Sequence, residues 1–481
     1  MSASFFFYDL ETSGISAFSA RIMQFAGQRT DLELNPIGEP VNVLIRVTED
    51  TLPEPDAIMV TGITPQAVNA DGVTEAEFLR QFTDEIAIPG TIFAGFNTVR
   101  FDDEFMRCLH YRNFYDPYEW QWQEERSRWD LLDAVRMTRA LRPDGIEWPF
   151  APDGKASNRL ELLTAVNKLD HLNAHDALSD VNATIAVARL LRNKQTKLFD
   201  YLLGMRDKRK VADLVESDQP FVYTSGKYPA EFEKTAVVAP VGHHPKRQGS
   251  IFVYDLRHDP AQYKDMSAEQ LAELWRWKKD AEEPRLPVKA LAYNKCPAVA
   301  PLGVLDEASQ KRLQIDMAQI KKNLAVLCSM TSFEERLIKA SEILEKQVQT
   351  RLVTTDKDAD EAIYDGFFDN QDKQSMRVVR AAAPEELGDL GMSFHDNRLT
   401  ALLPLYKARN YPKLLTSEER EEWEKFCERK LLSGAQNSKM ARFYSRLQEL
   451  AARTDLTSNQ QYVLEELRLY AESIMPTHED I

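Results

Sequence analysis

Two carboxylates stand two residues apart, Asp9 and Glu11, directly after the apolar run Phe5-Phe6-Phe7-Tyr8. Side chains two apart in a strand share a face, so this pair projects together from the end of a buried strand. Adjacent carboxylates repel each other unless a cation sits between them. Hard oxygen ligands of this kind suit magnesium or manganese. An isolated Asp-x-Glu is also an ordinary acidic strand end. A second group, Asn97 to Asp103, follows the apolar run Thr91 to Phe96 and opens a helical pattern. A carboxylate at such a junction faces the carboxyl edge of an α/β sheet, where ligands bind. Taken alone, helix capping by Asp102 or Asp103 is the simpler reading. A third group, His175-Asp176-Ala177-Leu178-Ser179-Asp180, heads another helical pattern. It offers a general base beside a metal ligand, or a solvated histidine and a surface aspartate.

Elements of the right kind surround these groups. Ser4 to Tyr8, Arg21 to Gln28, Val41 to Val47 and Thr91 to Phe96 read as strands. Phe101 to Tyr111 reads as a helix, and Ala177, Leu178, Val181, Ile185, Ala188 and Leu191 recur at helical spacing. Strands mixed with helices predict an α/β domain with helices packed on a sheet. From about Thr196 the texture changes. Val222 to Val253 is rich in β-branched and aromatic residues punctuated by glycine and proline, which predicts short antiparallel strands and turns. An amphipathic helix over Ser267 to Ala281 interrupts it and Val288 to Tyr293 resumes it, giving a small β-barrel with inserted helices. From Thr331 the chain reads as helices, among them Glu334 to Val348, Glu418 to Leu432 and Asn459 to Ile474. Asp356 to Asp360 reads as an acidic, exposed connection. The domains are expected at 1–192, 196–350 and 351–481.

The chain has 481 residues, 43% of them hydrophobic, which is too long for one ordinary core. Its formal net charge of -16 argues against a nucleic-acid partner for the surface as a whole. One stretch runs against that total. Arg100 to Gly154 contains no lysine but carries Arg100, Arg107, Arg112, Arg126, Arg128, Arg136, Arg139 and Arg142, and Arg159 follows. Tyr111, Phe114, Tyr115, Tyr118, Trp120, Trp122 and Trp129 are interleaved. Arginine holds phosphate with a planar fork, and a base stacked on an exposed aromatic gains ~1–3 kcal/mol. More than half of these side chains are expected to serve packing or pairing. Cys108, Cys296, Cys328 and Cys427 have neither zinc spacing nor a disulfide pattern. Phe5 to Tyr8 is too short for a signal-peptide core, and no apolar run approaches the ~18 residues of a membrane span. A soluble cytoplasmic protein is expected. His243-His244 reads as an exposed turn.

Asp9, Glu11, Asp102 and Asp180 stand in the order and contexts of the DEDD exonucleases, which the chain resembles, and His175 places it with the histidine-containing branch. Asn113-Phe114-Tyr115-Asp116-Pro117-Tyr118, Ser127-Arg128-Trp129-Asp130-Leu131-Leu132-Asp133, Ala140-Leu141-Arg142-Pro143, Asn294-Lys295-Cys296-Pro297, Gly366-Phe367-Phe368 and Arg409-Asn410-Tyr411-Pro412 look like bacterial exonuclease I. The resemblance covers nearly the whole chain. It implies an RNase H-like exonuclease domain, an elaborated SH3-like β-barrel and a helical C-terminal domain, together enclosing a channel for single-stranded DNA. The implied activity is processive 3′-to-5′ hydrolysis to nucleoside 5′-monophosphates, serving DNA repair and recombination.

The same resemblance implies that Asp9 bridges two Mg2+ ions, replaceable by Mn2+, and that Glu11 binds the ion holding the attacking water. Asp102 and Asp180 complete the coordination, and His175 accepts the water's proton. The Phe-Asp order selects Asp102, leaving Asp103 to cap or pair. Glu11, Arg107, Tyr118, Trp122, Arg136 and Arg159 are the implied substrate contacts. A monomer is expected, with the acidic C-terminal tail of single-stranded DNA-binding protein as partner. Its pocket would include Arg142 near Tyr201, although Asp306 departs from the family's usual residues there. An RNA-trimming exoribonuclease and a non-catalytic DNA-binding scaffold are the other readings. The first relatives are short and dimeric, and the second would not need all five catalytic side chains.

Overall fold

The computed structural model describes residues 3–171, 176–276, 285–352, 358–388 and 390–475. The chain divides into two compact units. One comprises Met1–Ser127, His171–Asn182 and Lys357–Ile481; the other comprises Arg128–Asp170 and Ala183–Asp356.

The four expected strands, β1 (Ser4–Thr12), β2 (Ile22–Thr30), β3 (Val41–Leu44) and β4 (Thr91–Gly95), are joined by a fifth that the sequence did not mark, β5 (Ser127–Asp130), in the order β3-β2-β1-β4-β5. Phe6, Tyr8 and Leu10 on one face of β1 enter a core with Phe25, Phe78, Phe82 and Phe93. Strand alternation puts Asp9 and Glu11 on the other face. β2 runs antiparallel to β1, with Asp9 opposite Ala26 and Glu11 opposite Gln24. β4 runs parallel to β1 but pairs only from Ser4 to Phe7. β1 therefore extends past the end of β4, and the two carboxylates emerge at the sheet's carboxyl edge.

At that edge β4 closes on Gly95. A Cβ there would lie 2.1 Å from Thr98 Cγ2 and 2.8 Å from the Tyr8 carbonyl oxygen. The backbone oxygen cannot yield without moving β1. Gly95→Ala is therefore expected to cost about 1–3 kcal/mol, the usual range for overpacking. Chemical denaturation of the variant beside the wild type checks it.

The C-terminal helices are part of the same unit. Leu447, Leu467 and Tyr470 share a core with Met23, Ile58 and Val68. Leu399, Leu402 and Tyr406 pack with Cys108, Tyr111 and Phe114. Capping boxes at Thr416/Glu419 and Thr457/Gln460 start the Ser417–Leu432 and Ser458–Ser473 helices, close to their predicted bounds. Of the expected acidic, exposed connection, residues 356 and 357 lie outside the described ones, and Asp360 is not exposed. Asp360 is 1% exposed, paired with Arg21, Arg409 and Lys430, so its local acidity reflects distant buried cations rather than solvent.

In the second unit, β6 (Phe221–Thr224), β7 (Thr235–His243), β8 (Ser250–Asp255), β9 (Val288–Ala292) and β10 (Ala298–Pro301) form an antiparallel sheet in the order β10-β6-β7-β8-β9. A bulge lies between Pro240 and Gly242. Its core holds Val211, Val238, Val253, Leu291 and Val299. The helix expected over Ser267 to Ala281 spans Ala268–Trp275, and residues 277–284 lie outside the described ones. His243 ends β7 exposed, but His244 is buried against Phe252, with Glu345 3.4 Å away, so the pair is not simply an exposed turn. Among the described residues, no helix is long and apolar enough to cross a membrane.

Candidate active site

Asp9 and Glu11 meet Asp180, which sits in the first turn of the Ala177–Lys194 helix. Carboxylate oxygens of all three lie within 4.8 Å of one another. Burial pushes Glu11 up to about 9, and Asp9, Asp180 and Asp176 add to the rise. Asp9 is raised well above its ordinary value by burial first, then by Asp180 and Asp176. The protein alone thus holds acids that resist ionising together. A divalent cation removes that resistance, and three hard oxygen donors fit magnesium, manganese or zinc.

The surrounding groups are placed as follows. The His171 Nε2 lies 2.5 Å from Asp180 Oδ1. Sequence reasoning passed over this histidine. Asp176 caps the helix by accepting from the Ser179 amide at 3.0 Å. Asp102 is buried at the start of the Asp102–Arg112 helix, reached through Asn97 in the left-handed region, but is not among the three convergent carboxylates. Neighbouring Asp103 pairs away from them, accepting from the Tyr8 hydroxyl at 2.6 Å. His175 lies outside the described residues.

Of the expected substrate contacts in this unit, Arg107 lies over the Tyr118 ring, 5.7 Å from its centroid, and pairs with Glu104 at 2.6 Å. Trp122 is 59% exposed. Tyr118 also neighbours Phe367, whose ring is 5.6 Å away and 85% exposed. In the second unit, Arg136 pairs with Asp133 at 2.6 Å, and the well-exposed Arg159 pairs with Glu161. Several of the other residues serve the structure. Tyr111, Phe114, Trp120 and Trp129 are core, Arg112 is buried on Glu75, and Arg139 bonds the Pro149 and Ser157 carbonyls.

Comparison with known proteins finds matches over most of the chain. Residues 6–188 match the family model described as Exonuclease, 206–342 the Exonuclease I SH3-like domain, and 357–474 the Exonuclease I C-terminal domain. Exodeoxyribonuclease I of Haemophilus influenzae is 41% identical over 438 residues, covering 90% of this chain and 91% of that one. The chain belongs to the exonuclease I family.

Solved exonuclease I structures superpose closely. The zinc-bound form of the Escherichia coli ExoI–ssDNA complex has a TM-score of 0.91 at 36% identity, covering 98% of this chain and 100% of that one. A structure of SSB and exonuclease I with the inhibitor CFAM has a TM-score of 0.88 at 36% identity, with coverage of 98% and 100%. The family-model boundaries assign an SH3-like domain to the five-stranded antiparallel sheet of the second unit. At the expected partner pocket, Arg142 donates to the Val304 carbonyl at 3.0 Å and lies 3.4 Å from Asp306. Asp306 also caps the Glu307–Arg312 helix through the Ser309 amide at 2.8 Å.

Proposed function

We propose that this chain, an exodeoxyribonuclease of the exonuclease I family, removes nucleotides one at a time from the 3′ end of single-stranded DNA, releasing nucleoside 5′-monophosphates. The observation that carries the reading is the convergence of Asp9, Glu11 and Asp180 at the carboxyl edge of the sheet. The Escherichia coli relative bound to single-stranded DNA and zinc supports it.

The site depends on divalent metal. Two Mg2+ ions, replaceable by Mn2+, are the proposed complement, held by Asp9, Glu11, Asp180 and Asp102. When bound, such ions lower the pKa of the attacking water and neutralise charge on the attacking and leaving oxygens. The chain's own groups do the rest. His175 accepts the proton of the attacking water. His171 steadies the Asp180 carboxylate. Arg107 faces the phosphates, while Tyr118 and Trp122 give the bases a surface to stack on. Arg136 and Arg159 are the remaining proposed contacts to the strand.

The test is release of mononucleotides from a 3′-labelled single strand with and without Mg2+, beside matched RNA and duplex DNA. Metal-dependent release from the DNA single strand is expected. Preference for RNA would move the chain to the RNA-trimming reading. An intact strand under all conditions would favour a scaffold.

The acidic tail of single-stranded DNA-binding protein is the proposed partner, at the pocket containing Arg142. Asp306 opposes it, because it already shares the Arg142 guanidinium. Asp306→Asn keeps a helix-capping side chain and removes the competing charge. The variant is expected to bind a peptide of the acidic tail about two- to fivefold more tightly, as for an exposed ion pair. Fluorescence anisotropy at low salt measures it, and unchanged affinity would place the peptide elsewhere.

A further inference from the structure

The loop that follows the catalytic carboxylates is tied to a buried set of charges. The β1 ladder is irregular between Glu11 and Thr12. The next bonds that hold this strand end are between Ser13 and Arg21. The Ser13 amide donates to the Arg21 carbonyl at 2.8 Å, and the Arg21 amide donates to Ser13 Oγ at 2.8 Å. The Glu54 amide donates to the Ser13 carbonyl at 2.7 Å. The position of Ser13, two residues beyond Glu11, therefore depends on where Arg21 is held.

The Arg21 side chain, 2% exposed, is held by two carboxylates. Asp50 is 3.3 Å away and Asp360 3.1 Å away. Those carboxylates are gripped in turn by helices near the C-terminus. Arg409 reaches Asp50 at 2.8 Å and Asp360 at 2.7 Å, and Lys430 reaches Asp50 at 2.5 Å. Glu75 lies 3.9 Å from Arg21 and 2.8 Å from Arg112. Buried ions seldom add stability beyond what apolar packing would supply. What they impose is a directional arrangement, since each carboxylate accepts only from certain places.

We propose that Arg21 is a positioning residue for the ion site, passing the hold of Asp360, Arg409 and Lys430 to the strand end that presents Glu11. The proposal rests on the reading of Asp9, Glu11 and Asp180 as ion ligands. It adds that the C-terminal helices help set the site's geometry through one guanidinium, 339 residues from its partner Asp360.

Arg21→Lys separates this role from simple stability. Lysine keeps the charge but presents a point donor, which cannot span two carboxylates as the guanidinium fork does. At a temperature well below its unfolding midpoint, the variant is expected to need about tenfold more Mg2+ for half-maximal rate, as for outer-shell partners of metal ligands. Its kcat at intermediate Mg2+ should fall accordingly, while KM for the oligonucleotide stays within about twofold of wild type. Asp360→Asn, made at the far end of the chain of contacts, should shift the Mg2+ dependence the same way. Asp360→Glu, which keeps every charge, replaces either variant if circular dichroism shows it unfolded. Folded variants with lowered melting temperatures but wild-type Mg2+ dependence and kcat would overturn the proposal. A wild-type protein without metal-dependent release would instead overturn the ion-site reading beneath it.

Discussion

Asp9→Ala is expected to cut turnover by more than ~100-fold while leaving the metal-free protein at least as stable as the wild type. The loss of rate follows from removing a ligand that stabilises charge in the transition state, a contribution of several kcal/mol. The second half is the more discriminating. Asp9 is held well above the usual carboxylate range by burial, Asp180 and Asp176, so at neutral pH it strains the folded chain. Deleting it relieves that strain and lets Glu11 ionise more easily. Single-turnover assays give the first result and thermal melts without metal give the second. Mg2+ should raise the wild-type melting temperature and leave that of the variant nearly unchanged. Asp103→Asn supplies the contrast. It weakens the bond from the Tyr8 hydroxyl, so it should lower stability yet keep the Mg2+ response. A retained rate in Asp9→Ala, or a metal-free melting temperature well below wild type, would contradict the ligand assignment.

The part of this site that could be read in the sequence is the part with local causes. Strand alternation alone puts Asp9 and Glu11 on one face, and the structure keeps them there. The selection of Asp102 over Asp103 rests on the resemblance instead; Asp103 is turned to Tyr8, while Asp102 is not among the three convergent carboxylates. Convergence with Asp180 is different, because it depends on how a helix far along the chain returns to the sheet. There, the likeness to a known family supplied what periodicity could not. Two features were missed for the same reason. His171 follows Asp170 in a segment with no helical or strand pattern, and its contact with Asp180 lies nine residues on. Asp360 sits in an acidic run that reads as solvated, while the cations that bury it come from Arg21, Arg409 and Lys430. Composition describes a segment's own preference for water and is blind to distant partners. The exposed Phe367 beside Tyr118 was marked only as part of Gly366-Phe367-Phe368, because adjacent aromatics do not disclose which one is buried.

The clustered acids also make stability, pH and metal interdependent, with a sign that can be worked out. Glu11 titrates near its ordinary 4.5 when unfolded and is pushed up to about 9 when folded without metal. Across that window the folded chain keeps a proton that the unfolded chain has released. Stability then falls as pH rises, by up to ~1.4 kcal/mol per pH unit for each such group. Asp9 shifts in the same direction. The metal-free protein should therefore melt at a lower temperature at about pH 8.5 than at about pH 6. Divalent cation takes the place of these protons, so binding releases them and strengthens as pH rises. The rise in melting temperature produced by a fixed Mg2+ concentration should be larger at the higher pH, and the Mg2+ needed for half-maximal rate should be smaller. Glu11→Gln removes the titrating group while nearly keeping its shape, so it should flatten the metal-free pH slope and blunt the Mg2+ response. If the metal-free melting temperature rises across this window, or the Mg2+ effect is equal at both ends of it, the carboxylates are not competing with one another for charge, and no cation is needed to hold them together.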